Sequence, residues 1–350
     1  AQAQEAKVRV RVKADLDAKP DEGITTARMV KGDAGSVVVL KTKGGATVLG
    51  GVPQPELDWS LVAIDRAKMA VIKTDKPKIV WGEGPVALET IEHFAGQFRL
   101  IASKPDPENT RLLVLQQVLN GRSLTGKAAS IITELPYDAL GKDAGYFKSN
   151  MAVGFTTTIS LDSNHLLLGL TPKSTERKAG APVWGMVLDK KMKPLWHRPL
   201  VLDPAVRSSE LLNTYVDKAG AVWYFTRNVT DPAPKNKETI GHHFALYRLD
   251  SAEQKSWTLG LAGKHFPQHA NVELLPNGNF VCTGIYSDPT PDRNESIGVF
   301  FLPFDAAKGE WGPTKLHAYE KQEVKKVERF QNDMVHAKTL VRKDGGVFLV

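Results

Sequence analysis

The sequence predicts an all-β chain of repeated four-stranded antiparallel sheets, and three observations carry that prediction. An apolar strand that ends at Asp, turns, and re-enters a strand at Trp recurs along the chain. A second turn, built on Asp, Asn and Gly, recurs in register with the first. The strand after that second turn is apolar at successive positions, so both of its faces need cover; a sheet buried on one face would alternate instead.

Taken in order, the first phrase is Val187-Leu-Asp189 followed by Trp196, Arg248-Leu-Asp250 followed by Trp257, and Pro303-Phe-Asp305 followed by Trp311. Fainter copies are Ala63-Ile-Asp65 with Met69, and Val118-Leu-Asn120-Gly121, so the markers at 65, 120, 189, 250 and 305 recur every 55 to 69 residues. The second turn reads Gly32-Asp33-Ala-Gly35, Asp162-Ser-Asn164, Asp217-Lys-Ala-Gly220, Asn277-Gly278 and Asp344-Gly345-Gly346. These residue types accept the left-handed backbone of a tight hairpin. The strands that follow, Val37 to Leu40, Leu166 to Leu168, Val222 to Phe225 and Val347 to Val350, are continuously apolar. Tyr319 to Gln331 is the one helical pattern, with Val324, Val327 and Phe330 on one side. Pro105-Asp-Pro107, Asp231-Pro-Ala-Pro234 and Asp288-Pro-Thr-Pro291 mark exposed loops.

Four-stranded units of this length cover both faces when each sheet lies between two neighbours, and radial stacking does so without long open edges. The pattern resembles a six-bladed β-propeller, with blades starting near Ile24, Ile91, Val153, Glu210, Asn271 and Lys338. On this reading residues 1–23 precede the propeller and residues 24–350 form it. Neither the Gly-His and Trp-Asp markers of WD40 blades nor the kelch double-glycine pattern recurs from repeat to repeat. The last blade is incomplete in this chain. Lys7-Val-Arg-Val-Arg-Val-Lys13 alternates as a half-exposed outer strand does and offers one closing strand. One strand does not replace two, so the expectation is a longer natural chain or a strand supplied by a partner. A sealed monomer of 38.4 kDa would contradict it.

Apolar residues make up 42% and charged residues 24%, which excludes a disordered or collagen-like chain. No apolar stretch approaches the ~20 residues of a membrane-spanning helix. Cys282 is the only cysteine, so no internal disulfide forms. Lys and Arg number 46 against 39 Asp and Glu, a net charge of +7 and a pI near 9.2. That excess is spread along the chain, which argues against a nucleic-acid partner and leaves peripheral association with an anionic cell surface. Ala1-Gln2-Ala3-Gln4 matches the small-residue remnant of signal-peptide removal, so the expected location is exported: periplasm, cell surface or exterior.

His269 and His336 each stand nine residues before a turn glycine, Gly278 and Gly345, at the start of a blade's first strand. In a propeller that strand lines the central channel, so His269, Asn271 and His336 are the candidate binding residues of a channel mouth. Imidazoles there can bind an anion, ligate a metal or transfer a proton. The phrase His269-Ala-Asn-Val-Glu-Leu-Leu-Pro-Asn-Gly-Asn279 is similar to a blade phrase of bacterial arylsulfotransferases, and the resemblance implies an exported six-bladed propeller whose channel histidine carries a sulfuryl group. The rest of that family's arginine and histidine set has no counterpart in this sequence. Gly241-His242-His243 sends adjacent imidazoles to opposite faces of a strand. No metal-binding spacing and no phosphate-binding glycine loop occurs, so no metal and no cofactor is expected. Trp196, Trp257 and Trp311 occupy one position of the repeat and read as packing.

Two functions follow from different classes. The favoured one is a non-catalytic exported binding or scaffold propeller that presents loops to a protein partner, a larger assembly or a glycan. The alternative is a propeller enzyme, sulfotransferase- or hydrolase-like, that uses His269 and His336 at the channel mouth.

Overall fold

The computed structural model describes residues 24–31, 35–43, 58–83, 86–140, 155–170, 184–229, 242–287, 296–319, 339–341 and 347–349. His336, the closing segment 7–13, and nearly all of the helical pattern at 319–331 lie outside the described residues. The chain divides into two compact units, Ala1–Lys78 with Gly121–Thr125, and Ile79–Asn120 with Gly126–Val350.

Unit 1 holds one antiparallel sheet in sequence order: β1 (Ile24–Lys31), β2 (Ser36–Lys43), β3 (Asp58–Asp65) and β4 (Ala70–Asp75). Unit 2 repeats that meander. Its first sheet is β5 (Ala87–Phe94), β6 (Gln97–Asp106), β7 (Arg111–Leu119) and β8 (Ser130–Pro136). The next is β9 (Phe155–Ile159), β10 (Leu166–Leu170), β11 (Trp184–Leu188) and β12 (Pro194–Pro199). A third is β13 (Ser208–Val216), β14 (Val222–Val229), β15 (His242–Leu249) and β16 (Gln254–Thr258). The fourth is β17 (Phe266–Leu274), β18 (Phe280–Ser287), β19 (Ser296–Asp305) and β20 (Glu310–Trp311), with β21 (Lys315–Ala318) also on β19. A final pair is β22 (Thr339–Val341) and β23 (Val347–Leu349).

The first strands of unit 2 touch in succession, β5 to β9, β9 to β13, β13 to β17 and β17 to β22. That order of contact is a β-propeller's, with the first strands of the unit 2 sheets innermost. Pro105 falls inside β6 and not in a loop; the turn begins at Pro107.

The second strands are buried on both faces for the reason their sequences imply. Leu166, Leu168 and Leu170 of β10 pack with Ile101, Leu112 and Val114 of the sheet before, while Leu167 packs with Val222 and Tyr224 of the sheet after. On β14 the alternation repeats: Trp223 and Phe225 join Val272, Phe280, Phe300 and Phe304 of the next sheet. Each such side chain taken out of water contributes about 1.5–3 kcal/mol. Cys282 of β18 lies in that same core, and burial holds its thiol well above its ordinary pKa.

The recurrent aspartates are turn caps. Asp189 Oδ1 accepts from the amides of Lys191 and Lys193, Asp217 Oδ1 from Ala219 and Ala221, and Asp250 Oδ1 from Ala252 and Glu253, all at 2.8–2.9 Å. A short carboxylate at this position satisfies amides that the turn would leave unpaired. The tryptophans pack, as their repeat position implied. Trp196 Nε1 donates to Gly220 O of the next sheet at 3.1 Å, and Trp257 stacks on Trp223 with ring centroids 5.7 Å apart.

Candidate functional site

The innermost strands of unit 2 carry polar side chains that reach across from one blade to the next. On β17, the register with β18 shifts between Pro267 and His269, and this bulge turns His269 out to solvent. Gly284 makes the bulge possible, because a Cβ there would lie 2.0 Å from His269 O. Asn271, two residues on, is half-buried, and its Nδ2 donates to Glu273 Oε1 at 3.2 Å. Tyr215 of β13 crosses from the preceding blade to donate to Val272 O at 2.6 Å and to Glu273 Oε2 at 2.9 Å. Burial, reinforced by the Glu273 carboxylate, pushes the Tyr215 phenol far above its ordinary pKa, so it stays a protonated donor. Asn213 Oδ1 accepts from Val272 N at 3.4 Å.

A matching set joins β5 to β9. Glu92 is buried and accepts from the Thr157 hydroxyl. Glu89 accepts from the Ser103 hydroxyl and, at 3.4 Å, from Phe155 N. These carboxylates bond groups of the adjacent blade, which holds neighbouring first strands in register and offsets the cost of burying the charge.

A basic group of side chains stands at the same bulge of β17. His242, the first residue of β15, has its ring edge-on to Phe244 at 5.4 Å and to Phe266 at 5.1 Å. Its Nε2 is buried with no hydrogen-bond partner. Burial lowers its pKa, and the charges of Arg227 and His269 lower it further, against backbone contacts of the ring at Pro267 and Gln268. Arg227 itself pairs with Glu210 at 2.8 Å. The next residue, His243, faces the other way: its Nε2 lies 3.4 Å from Asn228 Nδ2, and Asn228 also donates to Tyr247 at 3.0 Å. Burial lowers the His243 pKa too, with Asp203 opposing. The adjacent imidazoles therefore do not share a ligand. Among the described residues no three His, Cys, Asp or Glu side chains converge as metal ligands.

Of the residues singled out from sequence, His269 stands exposed at the bulge and Asn271 is engaged in the wall. Nothing in the sequence places Arg227 and His242 within electrostatic reach of one another and of His269. The His242-His243 pair was visible, but nothing in its spacing says that β15 meets β17.

No protein-family model matches this chain, and no curated protein matches it. Among solved structures it is similar to an α-L-arabinanase of Penicillium chrysogenum at 13% identity and a TM-score of 0.42, over 86% of this chain and 83% of that one. It is similar to the Dos1 propeller at 11% identity and 0.39, over 79% and 58%. It is similar to dipeptidyl peptidase 4 of Porphyromonas gingivalis at 11% and 0.42, over 91% and 40%. At these identities and scores the likeness is one of strand architecture and conveys no activity.

Proposed function

We propose that this chain is a non-catalytic, exported binding propeller that takes an acidic group of its partner at the His269 end of β17. The observation that carries the reading is His242: its Nε2 has no hydrogen-bond partner and its ring lies 5.1 Å from Phe266 of β17. It is within electrostatic reach of Arg227 and His269, where an incoming acidic group would favour the protonated imidazole and accept from it. A carboxylate or sulfate, whether on a glycan or on an acidic protein segment, has the matching chemistry. The carboxylates of the innermost strands support the non-catalytic half of the reading. Glu89, Glu92 and Glu273 accept hydrogen bonds across blades, which is structural use of the groups an acid–base enzyme would need at hand.

The test is binding of a sulfated or carboxylated polysaccharide, against a neutral one, by isothermal titration at pH 6 to 8. The expected result is preference for the acidic polymer, weakened about tenfold by His242→Gln together with His269→Ala, the size of a lost charge-assisted contact. Equal binding by the double variant overturns the reading. So does turnover of a sulfate ester or glycoside that His269→Ala abolishes, which would instead establish the propeller enzyme that uses His269 and His336.

A further inference from the structure

We infer that the β3–β4 hairpin of unit 1 is a membrane-surface anchor, which sets Met69, Val71 and Ile72 into the interface of an anionic bilayer. Met69 is 78% exposed, Val71 64% and Ile72 38%, three large apolar side chains within four residues of an edge strand. The same segment, residues 66–78, carries Arg66, Lys68, Lys73, Lys76 and Lys78 against the single carboxylate of Asp75, and Asp75 is held by Lys73. The nearest other acid, Asp65, is engaged in capping the turn and in an ion pair with Arg122 of the same unit at 3.3 Å. An apolar tip behind which cations gather is the arrangement that partitions into a headgroup layer of negative lipids. A chain adding itself as a further strand is the less fitting occupant, because lysines on an edge strand oppose such pairing.

The backbone at the tip supports the same reading. Met69 has φ 50°, a left-handed conformation that costs a methionine energy and a glycine none. The turn after β19 has the same plan, with Asp305 capping Ala307 and Lys308, and at the equivalent left-handed corner it carries Gly309, φ 70°. Unit 1 thus holds a large apolar side chain in solvent, at a position where glycine would relieve strain. Packing gives no reason for it; insertion into lipid does. No described helix is long and apolar enough to cross a membrane, so the attachment proposed is to the surface only.

The inference does not rest on the acidic partner proposed above, whose test reads His242 and His269. Its own test is co-sedimentation of the full chain with vesicles of phosphatidylcholine plus phosphatidylglycerol, and with phosphatidylcholine alone. The expected result is binding to the mixed vesicles only, weakened by salt. Lys68→Glu, which reverses one charge, should weaken it about tenfold. Met69→Gly should weaken it several-fold while the melting temperature stays or rises, a separation that a merely structural residue would not give. Wild-type affinity in Met69→Gly overturns the inference, as does equal binding to neutral vesicles. A dimer that Val71→Asp dissolves, with no vesicle binding by the wild type, assigns the patch to a second copy and overturns it too.

Discussion

At the corner between β3 and β4, Asp65 Oδ1 caps the amides of Ala67 and Lys68 at 3.0 Å; between β19 and β20, Asp305 Oδ1 caps those of Ala307 and Lys308 at 3.1 Å. The strand pairing that follows is the same, Ile64 with Val71 and Asp65 with Ala70 in one, Phe304 with Trp311 and Asp305 with Glu310 in the other. Their surroundings differ. Phe304 is buried, with its ring 4.8 Å from Trp311 and 5.9 Å from Trp223, and Gly309 lies under the Trp257 ring. Ile64 is half-buried, and Val71 and Met69 stand in solvent. A local turn plan is thus shared by a hairpin that seals a core and by one that offers an apolar tip. The capping chemistry is satisfied within five residues and does not depend on what, if anything, packs against the strands.

The two hairpins should differ most at their paired core-side residues. Phe304→Ala should cost about 3–5 kcal/mol in urea unfolding, because it opens a cavity among Trp223, Phe280 and Trp311. Ile64→Ala, at the equivalent place in unit 1, should cost about 1–2 kcal/mol, since less surface is lost from contact. Equal losses at the two sites would mean that the unit 1 hairpin is as well packed as the other.

The two left-handed corners should respond to substitution with opposite signs. Gly309→Ala should cost about 2 kcal/mol, since the new Cβ meets Trp257 at 2.9 Å in a backbone region unsuited to alanine. The converse change, Met69→Gly, should stabilise by up to about 1 kcal/mol, because it relieves strain and gives up little packing. Opposite signs in thermal melts at two equivalent corners are the expectation, and a loss at both would show that Met69 packs.

The smallest effect separates the units by pH. His242 and His243 have folded-state pKa values lowered by burial, so the unfolded chain binds protons first as pH falls. Their contribution is fully present above the unfolded value near 6.5 and is lost as pH falls below it. Unfolding of unit 2 should therefore become easier from about pH 6.5 downward, by less in His243→Gln, as read from urea midpoints at pH 7.5 and 5.5. A flat profile would show those imidazoles to be solvated.

The cap aspartates, the strands covered on both faces and the packing tryptophans were all legible in the sequence. Each depends on residues close in the chain or on a period-two pattern that any covering sheet satisfies. Val222, Trp223, Tyr224 and Phe225 had to be buried on both faces, whichever neighbours supplied the cover. The candidate site was legible only in part. His269 stood out by its place in the repeat, but its exposure depends on a bulge that Gly284 permits from the adjoining strand. The engagement of Asn271 with Glu273, and of Glu273 with Tyr215, is settled by how β13 and β17 approach.

Charge shows the same division. Counted along the chain, the excess of Lys and Arg reads as diffuse, and the count is correct. Only the folded sheet shows that Met69 and Val71, in the hairpin that also carries Arg66, Lys68 and Lys73, stand in solvent. The sequence by itself determined where the chain turns and which strands must be covered, because turn hydrogen bonds and side-chain alternation are local. Which hairpin stays uncovered, and that His242 comes to pack on Phe266 of β17, follow from tertiary contacts, because burial and electrostatic potential are sums over neighbours that the chain brings together from far apart.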